Sequence, residues 1–512
     1  MPPQISSRRP VERVRGTQDL WAADAQRIGE LSTRLERSFA SFGYQRIEVP
    51  VLEPAELHLR KSGLDIISKL YAFEDQGGRQ LCLRPELTAS VVRAFVAQPP
   101  ARLPVRLFSA GPVFRYERPA RGRYRQFEQC GVELIGAQGA LADAEVIVLA
   151  AQALDALGLR EYRITVGHVG VLNELLAGLG LSSRVRGFFL ESAEEARRRG
   201  IGSVRARLQK LDPELFEVGT EIDPQPGRLP GGEGASRAAV EELVQMVGAE
   251  GLGRREASDV VERMVRKLAG ASQAAATQKG LEILERLGGV RGAADEVIAG
   301  GRALLEEHGL SDAPLRALAE TRTLLGDLGL DAARLTFDLG LSRGLQYYTG
   351  MVFEIDHAGL GAESQLCGGG RYDDLVRALG GRQSVPALGF AFGLERVALA
   401  LDAEGVSASD GAGDVVYVVP ASEAAAAQAG RTAAALRAAG VRTQLEVAGR
   451  PVRSCLQYAD REGFAYVAVV GDGVTNGSLR LREMKGGEER VLSVAEAAQA
   501  VLGEDVETGG VN

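Results

Sequence analysis

The apolar and polar positions of the chain change period in blocks, and each block predicts an element. Ala22 to Ser41 reads as a helix, and Gly43 to Pro50 alternates as a strand closed by proline. After a mixed region to Asp75, Gln80 to Leu83 predicts a strand and Leu87 to Gln98 a helix. Arg106 to Arg115 and Gln126 to Ile135 predict two strands of a hairpin, and Leu141 to Leu157 is an amphipathic helix stopped at Gly158. Strand, helix and hairpin follow one another without a strict βαβ period, which predicts an α+β core with a mostly antiparallel sheet flanked by helices. From 182 to 333 the texture is that of short charged helices, interrupted by a flexible loop from Asp223 to Gly234, and predicts a helical insertion. Strand character returns at Arg334 to Leu339 and Met351 to Asp356. A glycine-rich turn, Cys367-Gly-Gly-Gly-Arg-Tyr-Asp373, leads into a helix from Asp374, and another helix begins near Gly393. Beyond a linker at 403–413, strands and helices alternate over 414–505 as a small α/β domain with a partly parallel sheet; the tail at 506–512 is expected to be disordered.

The length of 512 residues divides the chain into several domains, with 1–181 and 334–402 as two parts of one core. An apolar fraction of 45% and a charged fraction of 25% are those of a globular protein, and no apolar run or leader predicts a membrane span or export, so the expected location is cytoplasmic. Four cysteines without CxxC spacing and four histidines without a ligand pair argue against structural zinc or a disulfide framework. A net charge of −8 argues against nonspecific coating of nucleic acid. Basic charge is local, at Arg8, Arg9, Arg13 and Arg15 and in the hairpin loop, where five arginines fall between Arg115 and Arg125.

Four distant segments carry more polar chemistry than folding requires. In Leu83-Arg-Pro-Glu86-Leu87-Thr88, an acid and a threonine open a helix; the structural reading is a cap, and the functional one is a carboxylate facing a ligand ammonium. The hairpin's basic loop alone reads as a solvated turn. Its outgoing strand, however, places Gln129 and Glu133 on one face with Gly131 between them, leaving room over the sheet for a polar ligand. In Arg343-Gly-Leu-Gln-Tyr347-Tyr348, adjacent tyrosines point to opposite faces, one to pack and one to line a pocket. Gly368-Gly-Gly-Arg-Tyr372 permits close backbone approach, although tight turns use glycine equally well.

Taken in order, Arg15-Gly-Thr-Gln-Asp-Leu20, the strand ending at Pro50, Leu83-Arg-Pro-Glu86, the Phe114 to Gln129 hairpin, Arg343 to Tyr348, Cys367 to Asp373 and Gly393-Leu-Glu-Arg396 resemble the histidyl-tRNA synthetases, of class II. The resemblance covers roughly residues 12–180 and 334–505, and 414–505 is similar to the family's anticodon-binding domain. It implies ATP-dependent activation of histidine, magnesium carried with ATP, transfer to a histidine tRNA, and a homodimer formed around Pro50. It further implies that Arg115, Glu117, Arg123, Phe127 and Arg396 bind ATP, and that Glu86, Leu87, Thr88, Arg115, Gln129, Glu133, Arg343, Tyr347, Tyr348 and Tyr372 surround histidine. Arg343, Arg115 and Arg396 would carry the catalytic charge, and Arg121 and Arg125 would reach the tRNA. Two features depart from the pattern: Gln346 stands where the family has Asp, and Ile164 to Leu172 with its His168 is equally similar to the histidine-binding regulatory subunit of ATP phosphoribosyltransferase. That subunit, or a synthetase paralogue without catalysis, is the alternative.

Overall fold

The computed structural model describes residues 10–62, 68–213, 257–342, 347–406, 415–471 and 477–502. Arg343 and Gln346, the loop at 223–234, most of the linker at 403–413 and the tail at 506–512 lie outside the described residues. The chain forms two compact units, Met1–Ala408 and Ser409–Asn512.

The first unit is built on a nine-stranded sheet in the order β1-β5-β6-β12-β11-β10-β7-β9-β8. The strands are β1 Gln45–Arg46, β5 Val105–Phe114, β6 Gln126–Ile135, β7 Tyr162–His168, β8 Arg291–Gly292, β9 Leu335–Asp338, β10 Met351–His357, β11 Gln365–Arg371 and β12 Ala387–Gly393. Only the β1–β5 and β7–β9 pairs are parallel. A small antiparallel sheet, β2 Leu52–Pro54, β3 Tyr71–Glu74 and β4 Gln80–Leu83, stands apart from it.

Helices cover the large sheet because their apolar stripes match it. The helix Ala22–Ser41 repeats apolar residues at Leu31, Leu35 and Phe39, all fully buried, and Phe39 meets the Phe390 ring edge-on at 5.8 Å. Burial of each such side chain is worth ~1.5–3 kcal/mol, and Phe39→Ala would open a cavity costing ~3–5 kcal/mol. The helix Ala140–Leu157 is apolar nearly all round and correspondingly enclosed.

Three sequence expectations change. The strand expected from Gly43 to Pro50 pairs only at Gln45–Arg46, because the buried Arg84 guanidinium takes the Val49 carbonyl (2.7 Å) that a ladder would need. The glycine-rich segment Cys367 to Arg371 is not a turn but part of β11 in the middle of the sheet. There, a Cβ on Gly369 would overlap the Gly389 carbonyl on β12, and one on Gly131 would overlap the Phe390 carbonyl. The space at Gly131 is therefore filled by the neighbouring strand rather than left for a ligand.

The segment 182–333 is mainly helical where described, but it does not stand apart. Leu281, Leu284, Leu304, Leu315 and Leu325 join the main core, and β8 pairs with β9.

The second unit has the strand order β14-β13-β15-β16-β17. Its strands are β13 Val416–Pro420, β14 Thr443–Leu445, β15 Tyr466–Val470, β16 Ser478–Glu483 and β17 Glu489–Ser493. The first three are parallel and the last two antiparallel. Alternation along β13 builds two cores: Val416 and Val418 pack on Ala429 and Leu436, and Tyr417 and Val419 on Cys455 and Ala459. Among the described residues, no helix is long and apolar enough to cross a membrane.

Candidate active site

A cleft of about 400 Å³ opens over the sheet, lined from the helix Ala55–Ser62, the start of the helix Thr88–Ala97, the β5–β6 hairpin, the helix Ser183–Arg199, β10, β11 and β12. Its lining residues fall into two groups by their mutual contacts, termed its two ends. One holds Glu86, Thr88, Tyr347, Tyr348 and Tyr372, with Gln129 on the adjoining strand; the other holds Arg115, Glu117, Arg123, Phe127 and Arg396.

At the first end, Glu86 acts both as cap and as cleft carboxylate. Its Oε1 accepts the Ala89 amide (3.0 Å), and Lys61 Nζ stands 2.8 Å from its Oε2. Burial alone would raise this carboxylate, but Lys61, His58 and the hydrogen bonds outweigh it and bring it to about 2. Gln129 lines the cleft and is buried, and its Oε1 lacks a hydrogen-bond partner among the described residues.

Glu133 lies four residues beyond Gln129 along β6, 4% exposed, behind Tyr372, whose hydroxyl donates to it. Burial pushes Glu133 up to about 8, against the hydrogen bonds from Thr88 and Tyr372. Tyr347 and Tyr348 are tilted together with ring centres 4.4 Å apart, and Tyr347 meets Tyr372 edge-on at 5.9 Å.

At the second end, the arginines are braced by carbonyls and carboxylates, with their positive charge concentrated. Arg115 Nε donates to the Pro85 carbonyl (2.9 Å) and its guanidinium lies 5.3 Å from the centre of the Phe127 ring. Arg396 donates to the carbonyls of Gly122 (2.7 Å) and Gln365 (3.0 Å) and to Glu363 (2.6 Å). Arg123 pairs with Glu117 (2.6 Å) and reaches Glu363 at 3.6 Å. Burial works against the Glu117 carboxylate, but Arg123, Arg115 and Lys69 hold it below its ordinary value. Such forks, fixed in advance, suit a polyanion bound along the cleft.

Of the residues implied by the sequence, Glu133 and Leu87 do not line the cleft: Tyr372 screens Glu133, and Leu87 is buried at the helix start. Arg343 lies outside the described residues. Others reach the cleft that sequence reasoning missed. His58 and Lys61 come from the mixed region, and their i, i+3 spacing was the only signal available. Glu194 and Arg198 come from the helix Ser183–Arg199, tied to the sheet by Arg197, which meets Asp338 at 3.4 Å and Glu354 at 3.8 Å. Arg371 is structural: it holds Asp143 at 2.7 Å and fixes β11 to the helix Ala140–Leu157. His168 caps the helix Val169–Ala177 by accepting the Gly170 amide (3.1 Å).

The sequence matches the family model described as Histidyl-tRNA synthetase over residues 16–222 and 237–397, and that described as Anticodon binding domain over 415–504. It is 33% identical to a histidine–tRNA ligase of Archaeoglobus fulgidus, covering 95% of this chain and 98% of that one. The fold is that of the apo histidyl-tRNA synthetase of S. aureus, with a TM-score of 0.62 and 23% identity over 96% of this chain and all (100%) of that one. A Bacillus halodurans structure titled as an ATP phosphoribosyltransferase regulatory subunit/histidyl-tRNA synthetase aligns with a TM-score of 0.59 and 25% identity, covering 88% of this chain and 97% of that one.

Proposed function

The chain belongs to the histidyl-tRNA synthetase family, and on that premise we propose that it is a histidine–tRNA ligase whose two half-reactions share this cleft. The observation that carries the reading is that a buried ionised carboxylate, Glu86, and a cluster of braced arginines line one cavity. An amino acid seated by Glu86, Thr88 and Gln129 would present its carboxylate toward Arg115, and a triphosphate would lie along Arg115, Arg123 and Arg396.

In activation, a carboxylate oxygen of histidine attacks the α-phosphorus of ATP and pyrophosphate leaves. In transfer, a hydroxyl of the tRNA's terminal ribose attacks the acyl carbon and AMP leaves. No protein nucleophile is needed, and the rate gain comes from positioning and from charge stabilised by prearranged guanidinium groups. Arg343 would neutralise the α-phosphate, Phe127 would stack on adenine, and Glu117 would meet its exocyclic edge. Magnesium would enter as the partner of the ATP phosphates. Tyr372 and Tyr348 would recognise the imidazole, with Glu133 acting through the Tyr372 hydroxyl that donates to it, giving polar discrimination that an apolar pocket lacks.

Residues 414–505 would bind the anticodon, with Arg121 and Arg125 toward the acceptor end. A homodimer would cover apolar side chains left exposed at Val11, Val14, Trp21 and Leu52, the last close to Pro50. Its expected place of work is the cytoplasm.

The test is histidine-dependent exchange of labelled pyrophosphate into ATP, followed by charging of a histidine tRNA. Both are expected. Exchange at background in folded, histidine-binding protein would leave the regulatory-subunit reading instead.

A further inference from the structure

Glu86, assigned above to the amino group of histidine, is already engaged by groups of this chain. The helix Ala55–Ser62 carries His58 and Lys61 one turn apart, and both side chains reach the cleft wall. The Lys61 side chain is 3% exposed, with Nζ 2.8 Å from Glu86 Oε2 and 4.2 Å from the centre of the Tyr347 ring. The other carboxylate oxygen takes the Ala89 amide at 3.0 Å and faces His58 Nδ1 at 3.7 Å. An ammonium hydrogen-bonded to a buried carboxylate and resting on an aromatic face is the environment the α-ammonium of a free amino acid would need.

Lys61 therefore presents to Glu86 the same chemical group that the substrate would bring. An incoming ammonium meets a carboxylate whose charge is already balanced, so it gains little unless the resident one gives way. Two features allow the exchange. The Tyr347 face offers Lys61 a second seat inside the protein, so it need not return to water to release Glu86. The buried Gln129 Oε1, without a partner among the described residues, remains to accept a further N–H from the arriving group.

We propose that Lys61 is an internal ammonium that competes with the α-ammonium of histidine for Glu86 and is displaced from it when histidine binds. It thereby sets a ceiling on histidine affinity and makes entry of the amino acid a swap of one cation for another on a single carboxylate. The inference deepens the reading above and rests on its assignment of Glu86. The opposing role, in which Lys61 merely positions Glu86 to receive substrate, predicts effects of opposite sign.

Histidine binding to the full-length protein, measured by titration calorimetry, separates the two. Lys61→Met removes the competitor and is expected to tighten binding by ~3–10-fold, the factor gained when the competent state no longer shares its population with a blocked one. Lys61→Arg supplies a guanidinium able to grip both oxygens of Glu86 and is expected to weaken binding several-fold. Weaker binding in Lys61→Met with near-normal binding in Lys61→Arg would make Lys61 a positioning residue and overturn the proposal, as would no change in either. If Lys61→Met fails to fold, as judged by near-ultraviolet circular dichroism, Lys61→Arg decides alone: weaker binding supports displacement, and unchanged or tighter binding overturns it. Glu86→Gln distinguishes the premise: unaltered histidine affinity there would remove the assignment of Glu86 itself, and the proposal with it.

Discussion

At the scale of single residues, the site works through burial opposed by charge. Glu86 and Glu133 are neighbouring acids held in opposite states: Lys61 keeps the first ionised, while burial pushes the second up to about 8. If ionised Glu133, through the Tyr372 hydroxyl that donates to it, strengthens the contact to the substrate imidazole, kcat/KM for histidine should climb as pH rises from 7 through about 8 and then level. Titration of histidine itself is common to all variants, so Glu133→Gln should lose only this limb; a profile unchanged by the substitution would exclude the role. The same shift fixes a sign for stability. The folded value lies above the ordinary 4.5, so the stability owed to the protonated acid is complete below 4.5 and lost as pH rises through about 8. Thermal unfolding should accordingly show Glu133→Gln gaining on the parent as pH rises across that window, by an amount on the order of a few kcal/mol at most. At the other end, Arg396→Ala should lower kcat/KM for ATP by ~10–100-fold, corresponding to a charge-assisted contact of ~1.5–3 kcal/mol, with histidine affinity unchanged. Equal loss in both substrates, measured by pyrophosphate exchange, would mean that Arg396 only braces Gly122, Gln365 and Glu363.

At the scale of elements, strands pass so close that the sheet dictates glycine. A methyl on Gly389 would overlap Glu133 Oε2 and the Val132 carbonyl, so Gly389→Ala must turn Glu133 or part β6 from β12. The expected cost is ~1–3 kcal/mol of stability, together with weakened histidine binding by calorimetry. Gly187→Ala, in the helix Ser183–Arg199 with nothing near the added carbon, should instead stabilise by ~0.5–1 kcal/mol in the same denaturation experiment. These contrasts mark what the sequence could tell. Periodicity exposed the helix Ala22–Ser41 and the β5–β6 hairpin because each pattern is local. It misread Cys367 to Arg371, since glycine serves turns and crowded strands alike, and it overran at Pro50 because Arg84 lies far away in sequence. Motif order found Glu86, Arg115, Gln129, Tyr372 and Arg396. It could not find Lys61, whose meaning lies only in its distance from Glu86, nor see that Tyr372 stands in front of Glu133.

At the scale of the whole molecule, the proposed activation site and the segment that matches an anticodon-binding domain belong to different units. All described residues of the cleft fall between His58 and Arg396, within the first unit, and the main core beneath them draws on that unit alone. The second unit closes its own cores on both faces of β13. Activation needs only histidine and ATP, whereas transfer also requires a large polyanion to be held while its end enters the cleft. Two-point attachment raises the effective concentration of that end, and removing one point forfeits the gain. A chain ending at Val406 should therefore fold, exchange pyrophosphate into ATP within about threefold of the full-length rate, and lose ~100-fold or more in charging efficiency at limiting tRNA. Raising the tRNA concentration should recover part of the charging, because the loss is one of capture and not of chemistry. If exchange fell in parallel with charging in a chain whose unfolding remained cooperative, the second unit would be acting on the cleft itself, and the division between activating and capturing units would be wrong.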